Sequence, residues 1–217
     1  MQFSVVEHIL VEDDYILVIN KPAGLMVEPD RNGHPNLLNY VKQYLQSKSI
    51  SKEPIYAQHI HRLDRPVSGI ILFAKQKAVL KNLSEQFAER KVKKTYQAIT
   101  ISAPEKREGK LECWMRKEKK KALPVDESAL GAVFASLSYT CKEEKDNQFL
   151  WDIDLHTGKF HQIRMQLSQL GCPINGDKLY GSEVDYRPDS IALHAYKLMF
   201  FHPITNEEII IEQKKNW

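Results

Sequence analysis

Between Ile60 and Lys75 the chain reads IHRLDRPVSGIILFAK, where a single carboxylate, Asp64, stands among His61, Arg62 and Arg65 and is followed by Pro66, Ser68 and Gly69. An acid so placed can accept hydrogen bonds from backbone amides at a turn made by the proline, its basic neighbours facing solvent. It can also serve as a nucleophile or base. Burial pushes a carboxylate toward its neutral form and a nearby guanidinium pulls it back, so a paired arginine keeps an ionised group available at neutral pH. A turn needed only for geometry could be built with fewer cations, so chemistry is the sharper reading.

The second feature with chemical content is the distribution of charge. Between Lys75 and Lys121 there are fifteen Lys or Arg against six Glu, on a chain whose total is only +3, so the remainder is net negative. Such asymmetry suits a surface that meets polyanions, because phosphate neutralisation supplies the sequence-independent part of nucleic-acid affinity. The stretch KREGKLECWMRKEKKK also reads as a solvated, mobile excursion between strands, an insertion at about residues 105–124. Cys113, Cys141 and Cys172 are far apart and form no C-x-x-C pair, which suggests neither a disulfide framework nor a cysteine zinc site. The histidines His34, His59, His61, His156, His161 and His194 could in principle converge with Asp64 on a metal, but spacings such as H-E-x-x-H are missing. No metal and no cofactor are expected.

The N-terminal segment MQFSVVEHILVEDDYILVINKP carries Glu7, Glu12, Asp13 and Asp14, which interrupt any signal or membrane segment, so a cytoplasmic protein is expected. Hydrophobic residues make up 42% and charged residues 27%, ordinary globular composition for one domain spanning 1–217. DYILVINKP reads as a strand ending at Pro22. Asn36 caps a helix whose inner face is Leu37, Leu38, Val41, Tyr44 and Leu45, and KAVLKNLSEQFAERK forms a second helix with Val79, Leu80, Leu83 and Phe87 inward. KTYQAITIS, VFASLSYT, FLWDIDL, IALHAYKLMFF and EEIIIE read as strands. HQIRMQLSQLG reads as a helix with Ile163, Leu167 and Leu170 on one stripe and Gly171 at its end. The pattern is α+β, an extended, mainly antiparallel sheet with helices packed on it.

Taken together the motifs resemble the RluA-type pseudouridine synthases of RNA. HRLDRPVSG is similar to the catalytic signature of that family, VINKPAGLMV to its leading strand and turn, and KKTYQAI to the segment bearing its active-site tyrosine. GKFHQIRMQL is similar to its G-R-T-H-Q-I-R motif, and GCPINGDKLYG and LHAYKLMFFHP to its closing signatures. The sequence departs from the pattern at Val67, where the family usually has Thr, at Lys159 and Phe160, where it has Arg and Thr, and at Gln166, a position often held by His. These changes bear on substrate preference more than on reaction type, since Asp64, Tyr96 and Arg164 are all present.

The resemblance implies a single catalytic domain with a central RNA-binding cleft, no S4-type RNA-binding domain before it, and isomerisation of a uridine already inside an RNA chain. Asp64 would be the catalytic carboxylate, Arg164 its partner, and Tyr96 would stack on the uracil. Arg62 would fill the space left by the flipped base, with His61 shaping the turn, and the matched motifs set His161, Gln162 and Leu193 in the substrate site. The implied partner is a transfer RNA, a ribosomal hairpin, or both, bound by a monomer with no membrane association. A catalytically inactive RNA-binding protein of the same fold is the competing expectation.

Overall fold

The computed structural model describes residues 3–50, 53–143, 147–215 and 217. Its backbone divides into two packed units, Met1–Val92 with Tyr196–Lys214, and Lys93–Ala195 with Lys215–Trp217. In the first, a short strand β1 (Ile9–Glu12) turns into β2 (Ile16–Lys21), followed by helix α1 (Leu37–Lys48), β3 (Gln58–His59), β4 (Ser68–Ala74) and helix α2 (Lys77–Ala88). The β1–β2 turn is closed by Asp13, whose Oδ1 accepts from the Tyr15 and Ile16 amides at 2.6 and 2.7 Å, the usual work of an Asp at a turn. β2 runs antiparallel to β4 in the register Ile16 opposite Ala74 through Lys21 opposite Gly69. Both strands are buried on both faces, which is why ILVINK and SGIILFA read as near-continuous apolar runs rather than as alternations.

Helix α1 begins where its cap predicts, with Asn36 Oδ1 accepting from the Asn39 amide at 3.0 Å. Leu37, Leu38, Val41 and Leu45 are buried, while Tyr44 instead donates its hydroxyl to Glu12 at 2.6 Å. Val79 and Leu83 of α2 join Ile16, Val18, Ile70, Leu72 and Ala74 in the core, with Leu80 and Phe87 packed half-buried against it.

The second unit contains β5 (Lys93–Thr100), β6 (Glu108–Glu118), β7 (Lys121–Pro124), β8 (Val133–Glu143), β9 (Phe149–Leu155) and helix α3 (Gln162–Gln169). Its strands lie in the order β5-β9-β8-β6-β7, each pair antiparallel. The basic excursion expected around residues 105–124 is not a loop. Most of it is the hairpin β6–β7, with β6 paired to β8 from Glu108 opposite Thr140 to Met115 opposite Val133. Along β6 only Met115 is buried, so no alternation marks the strand in the sequence. Helix α3 also differs from its expected single stripe, since Gln162 through Leu167 are all buried.

The chain closes with β10 (Leu193–Phe201) and β11 (Glu208–Glu212), antiparallel from Lys197 opposite Glu212 to Phe201 opposite Glu208. Leu198, Phe200 and Ile211 complete the core of the first unit. The class is α+β, as the periodicities indicate. No helix among the described residues is long and apolar enough to cross a membrane.

Candidate active site

In the first unit Asp64 is half-buried in the loop between β3 and β4. Its carbonyl accepts from the Val67 amide at 3.0 Å, closing the turn that the Asp-Arg-Pro sequence predicts. That turn is bolted to the loop after β2. The Gly24 amide donates to the Arg65 carbonyl at 2.8 Å, and Arg65 Nε donates back to the Gly24 carbonyl at 3.0 Å. Gly24 sits at φ +83°, where a side chain would be strained. The motifs VINKPAG and HRLDRP, distant in sequence, are therefore one structural object.

The centre of that object is Lys21, the last residue of β2, fully buried. Its ammonium donates to the carbonyls of Pro22 (2.9 Å), Leu25 (2.7 Å) and Arg65 (3.3 Å), so it ties both loops to the strand. Burial pulls its pKa down to about 7, and the negative charge of Asp64 pushes it back up. The basic neighbours of Asp64 in sequence engage other groups. Arg62 forms an ion pair with Glu28, and His61 Nε2 accepts from the Leu72 amide at 3.3 Å while its ring stacks on Phe87.

In the second unit Tyr96 stands on β5 opposite Ile153 and is 7% exposed. Arg164 lies on α3 and is buried, its Nε and Nη2 donating to the two carboxylate oxygens of Asp177 at 2.7 and 2.8 Å, a forked pair. Its Nη1 lies 2.9 Å from His161 Nε2, and His161 Nδ1 lies 3.0 Å from the Tyr180 hydroxyl. The guanidinium is also 5.1 Å from the Tyr180 ring centre. His161 precedes the helix in a left-handed conformation, φ 53°, and its ring stacks on Phe160.

Gln162 is buried with both ends of its side-chain amide hydrogen-bonded. Oε1 accepts from the Lys159 amide and the Thr157 hydroxyl at 3.1 and 2.8 Å, and Nε2 donates to the Ser136 carbonyl at 3.1 Å. It pins the start of α3 to β8. Leu193 opens β10 and is buried. The histidines that could have gathered on a metal have separate partners: His34 meets Asp30, His59 meets Glu28, and His156 meets Ser136 and Ser138. Among the described residues no three His, Cys, Asp or Glu side chains are grouped to hold a metal ion.

Residues 15–169 match the family model for RNA pseudouridylate synthase. The chain belongs to that family, whose members are isomerases. It is 34% identical over 212 residues to an uncharacterized RNA pseudouridine synthase of Bacillus subtilis, YhcT, covering 94% of this chain and 67% of that one. It is 32% identical over 213 residues to the ribosomal large subunit pseudouridine synthase C of Rickettsia bellii, covering 96% and 68%. The chain thus spans about two thirds of the length of these relatives. Among solved structures it resembles human RNA pseudouridylate synthase domain containing 4, with a TM-score of 0.79 at 25% identity over 97% of this chain and 89% of that one.

Three residues that hold these motifs in place are not singled out by sequence pattern: Lys21 in the first unit, and Asp177 and Tyr180 in the second. Lys21 has a signal, a lysine at the very end of an apolar strand and directly before Pro-Ala-Gly. Asp177 and Tyr180 lie in GDKLYG, which the resemblance marks only as part of a closing signature.

Proposed function

We propose that this protein converts a uridine within a structured RNA to pseudouridine, with Asp64 as the catalytic carboxylate. The reaction breaks the C1′–N1 bond, turns the uracil, joins C1′ to C5 and moves the C5 proton to solvent while N1 gains one, so no cofactor is consumed. Asp64 acts ionised, by attack on the nucleotide or by removing a ribose proton. Arg164 acts on the reacting nucleotide with its guanidinium, and Tyr96 stacks on the uracil. The observation that carries the reading is the turn bearing Asp64, locked by Lys21 and Arg65 to the loop after β2, in a chain of this family.

The target uridine must leave its stack to reach a half-buried carboxylate, which costs a few kcal/mol. Arg62 fills the space it leaves. The Arg62 side chain is 60% exposed and its ion pair with Glu28 is on the surface, where such pairs contribute only about 0–1 kcal/mol, so release of Arg62 into RNA is cheap. Glu28→Gln should therefore leave stability within about 0.5 kcal/mol and should not weaken RNA binding. A clear loss of affinity in a filter-binding assay would show that Glu28 presents Arg62 rather than merely holding it.

The RNA is a transfer RNA or a ribosomal hairpin, and relatives named as ribosomal large subunit synthases favour the ribosomal arm. His161, Gln162 and Leu193 shape its site, and the protein works as a cytoplasmic monomer. The hairpin β6–β7, with Lys117, Lys119, Lys120 and Lys121 exposed, neutralises phosphates. Replacing Lys119, Lys120 and Lys121 together by Ala should lower RNA affinity and flatten its salt dependence, by roughly 0.7–0.9 in slope for each phosphate no longer neutralised. An unchanged slope assigns phosphate binding to another surface. The substrate is named by mapping pseudouridines in transfer and ribosomal RNA of cells with and without the gene: one vanished site is expected, and an unchanged map overturns the function.

A further inference from the structure

Arginine is always a donor, so the nitrogen of His161 that faces Arg164 Nη1 must accept, and His161 carries its proton on Nδ1. That proton is donated to the Tyr180 oxygen, which also accepts from the Ala122 amide of β7 at 2.7 Å. Tyr180 is further fixed by Ser168, whose hydroxyl donates to its carbonyl at 2.7 Å. On the other side Asp177 is 1% exposed and held by its own loop, its carbonyl accepting from the Tyr180 and Ser182 amides at 2.9 and 3.1 Å. Arg164 is thus gripped from two directions by groups that are themselves anchored. The fork to Asp177 and the bond to His161 engage all three nitrogens of the guanidinium, and because the group is rigid and planar they fix its whole plane.

We infer that Asp177, together with His161, is a positioning residue of the isomerisation: the two hold the Arg164 guanidinium in a single orientation toward the substrate. The inference rests on the reading that Arg164 acts on the reacting nucleotide. A flexible arginine side chain would lose rotamer entropy on each catalytic cycle, and a displacement of about 1 Å at a reacting centre can cost about 10²-fold. A buried fork removes both losses before RNA arrives. Phe160 adds to the same device, stacking its ring on His161 with centroids 3.8 Å apart and taking Lys117 over its face at 4.6 Å. This gives a role to a residue that departs from the family pattern.

The test is a double-mutant cycle on the full chain, measuring kcat and KM for pseudouridine formation in the RNA substrate. Asp177→Asn should lower kcat at least tenfold and leave KM within about twofold. Arg164→Lys, which has no fork for Asp177 to grip, should also lower kcat, and Asp177→Asn added to it should change kcat less than twofold. Full kcat in Asp177→Asn overturns the inference, as does an undiminished loss in the Arg164→Lys background, which marks Asp177 as structural. Full kcat in Arg164→Lys alone overturns the role of Arg164 itself. Should Asp177→Asn fail to fold, the partly exposed His161 provides the second arm. His161→Gln keeps an acceptor for Nη1 and should lose at least tenfold less kcat than His161→Leu, and equal kcat in the two variants overturns the inference.

Discussion

Asp64→Asn should abolish pseudouridine formation, by roughly 10⁴-fold or more, the scale on which removal of a nucleophile is felt. The assay follows from the chemistry: RNA labelled with tritium at C5 of uridine releases its label to water only when C5 joins C1′. The amide is the same size as the carboxylate, so the turn closed by the Asp64 carbonyl and the Val67 amide survives, as do the links between Gly24 and Arg65. Lys21 keeps its three carbonyl acceptors but loses the negative charge that opposes its desolvation. The variant should accordingly fold and bind RNA while failing to release tritium. Asp64→Glu lengthens the side chain by one methylene and should be nearly as inactive, because about 1 Å of misplacement costs about 10²-fold. Release by Asp64→Asn at the wild-type rate would remove Asp64 from the chemistry and leave the chain an RNA-binding member of its family.

Much of this arrangement is legible in the sequence, and the parts that are not share a cause. The α1 cap, the buried strands β2 and β4 and the alternation along β9 follow from local rules, namely an Asn before an apolar helical face, continuous apolar runs, and period two. The hairpin β6–β7 does not, because β6 buries only Met115 and its charges hide the strand. Lys21 escapes such rules because lysine is almost never fully buried without partners. Its partners are backbone carbonyls of the adjacent loop and of Arg65, forty-four residues away, to which sequence pattern is blind. The same holds for Asp177. Nothing in the period of α3 says that Arg164 faces a carboxylate thirteen residues on, and the expected apolar stripe gives way to a helix buried nearly all round, polar residues included. Asp64 stands out by its cationic neighbours, yet a further cation that couples to it, Lys21, comes from the end of a distant strand.

Lys21 makes the stability of the fold depend on pH above neutrality. In the unfolded chain its ammonium titrates near 10.5; in the folded protein burial brings this to about 7 despite Asp64. Below pH 7 the proton is held in both states and the full cost of the buried charge is present. Between about 7 and 10.5 the unfolded chain binds a proton that the folded chain has released, so stability rises with pH, by up to about 1.4 kcal/mol per pH unit from this one group. Lys21→Met removes the titration and isolates it, since every other group is common to both proteins. The stability of wild type relative to Lys21→Met should therefore climb by several kcal/mol from pH 7 to pH 10, read from urea midpoints at each pH. In a domain of this size each kcal/mol moves the melting temperature by about 2–4 °C, so the trend is measurable by thermal scans as well. A difference that stays flat across that range would mean that the three carbonyls keep Lys21 charged in the folded state, and that the turn carrying Asp64 rests on a permanent cation.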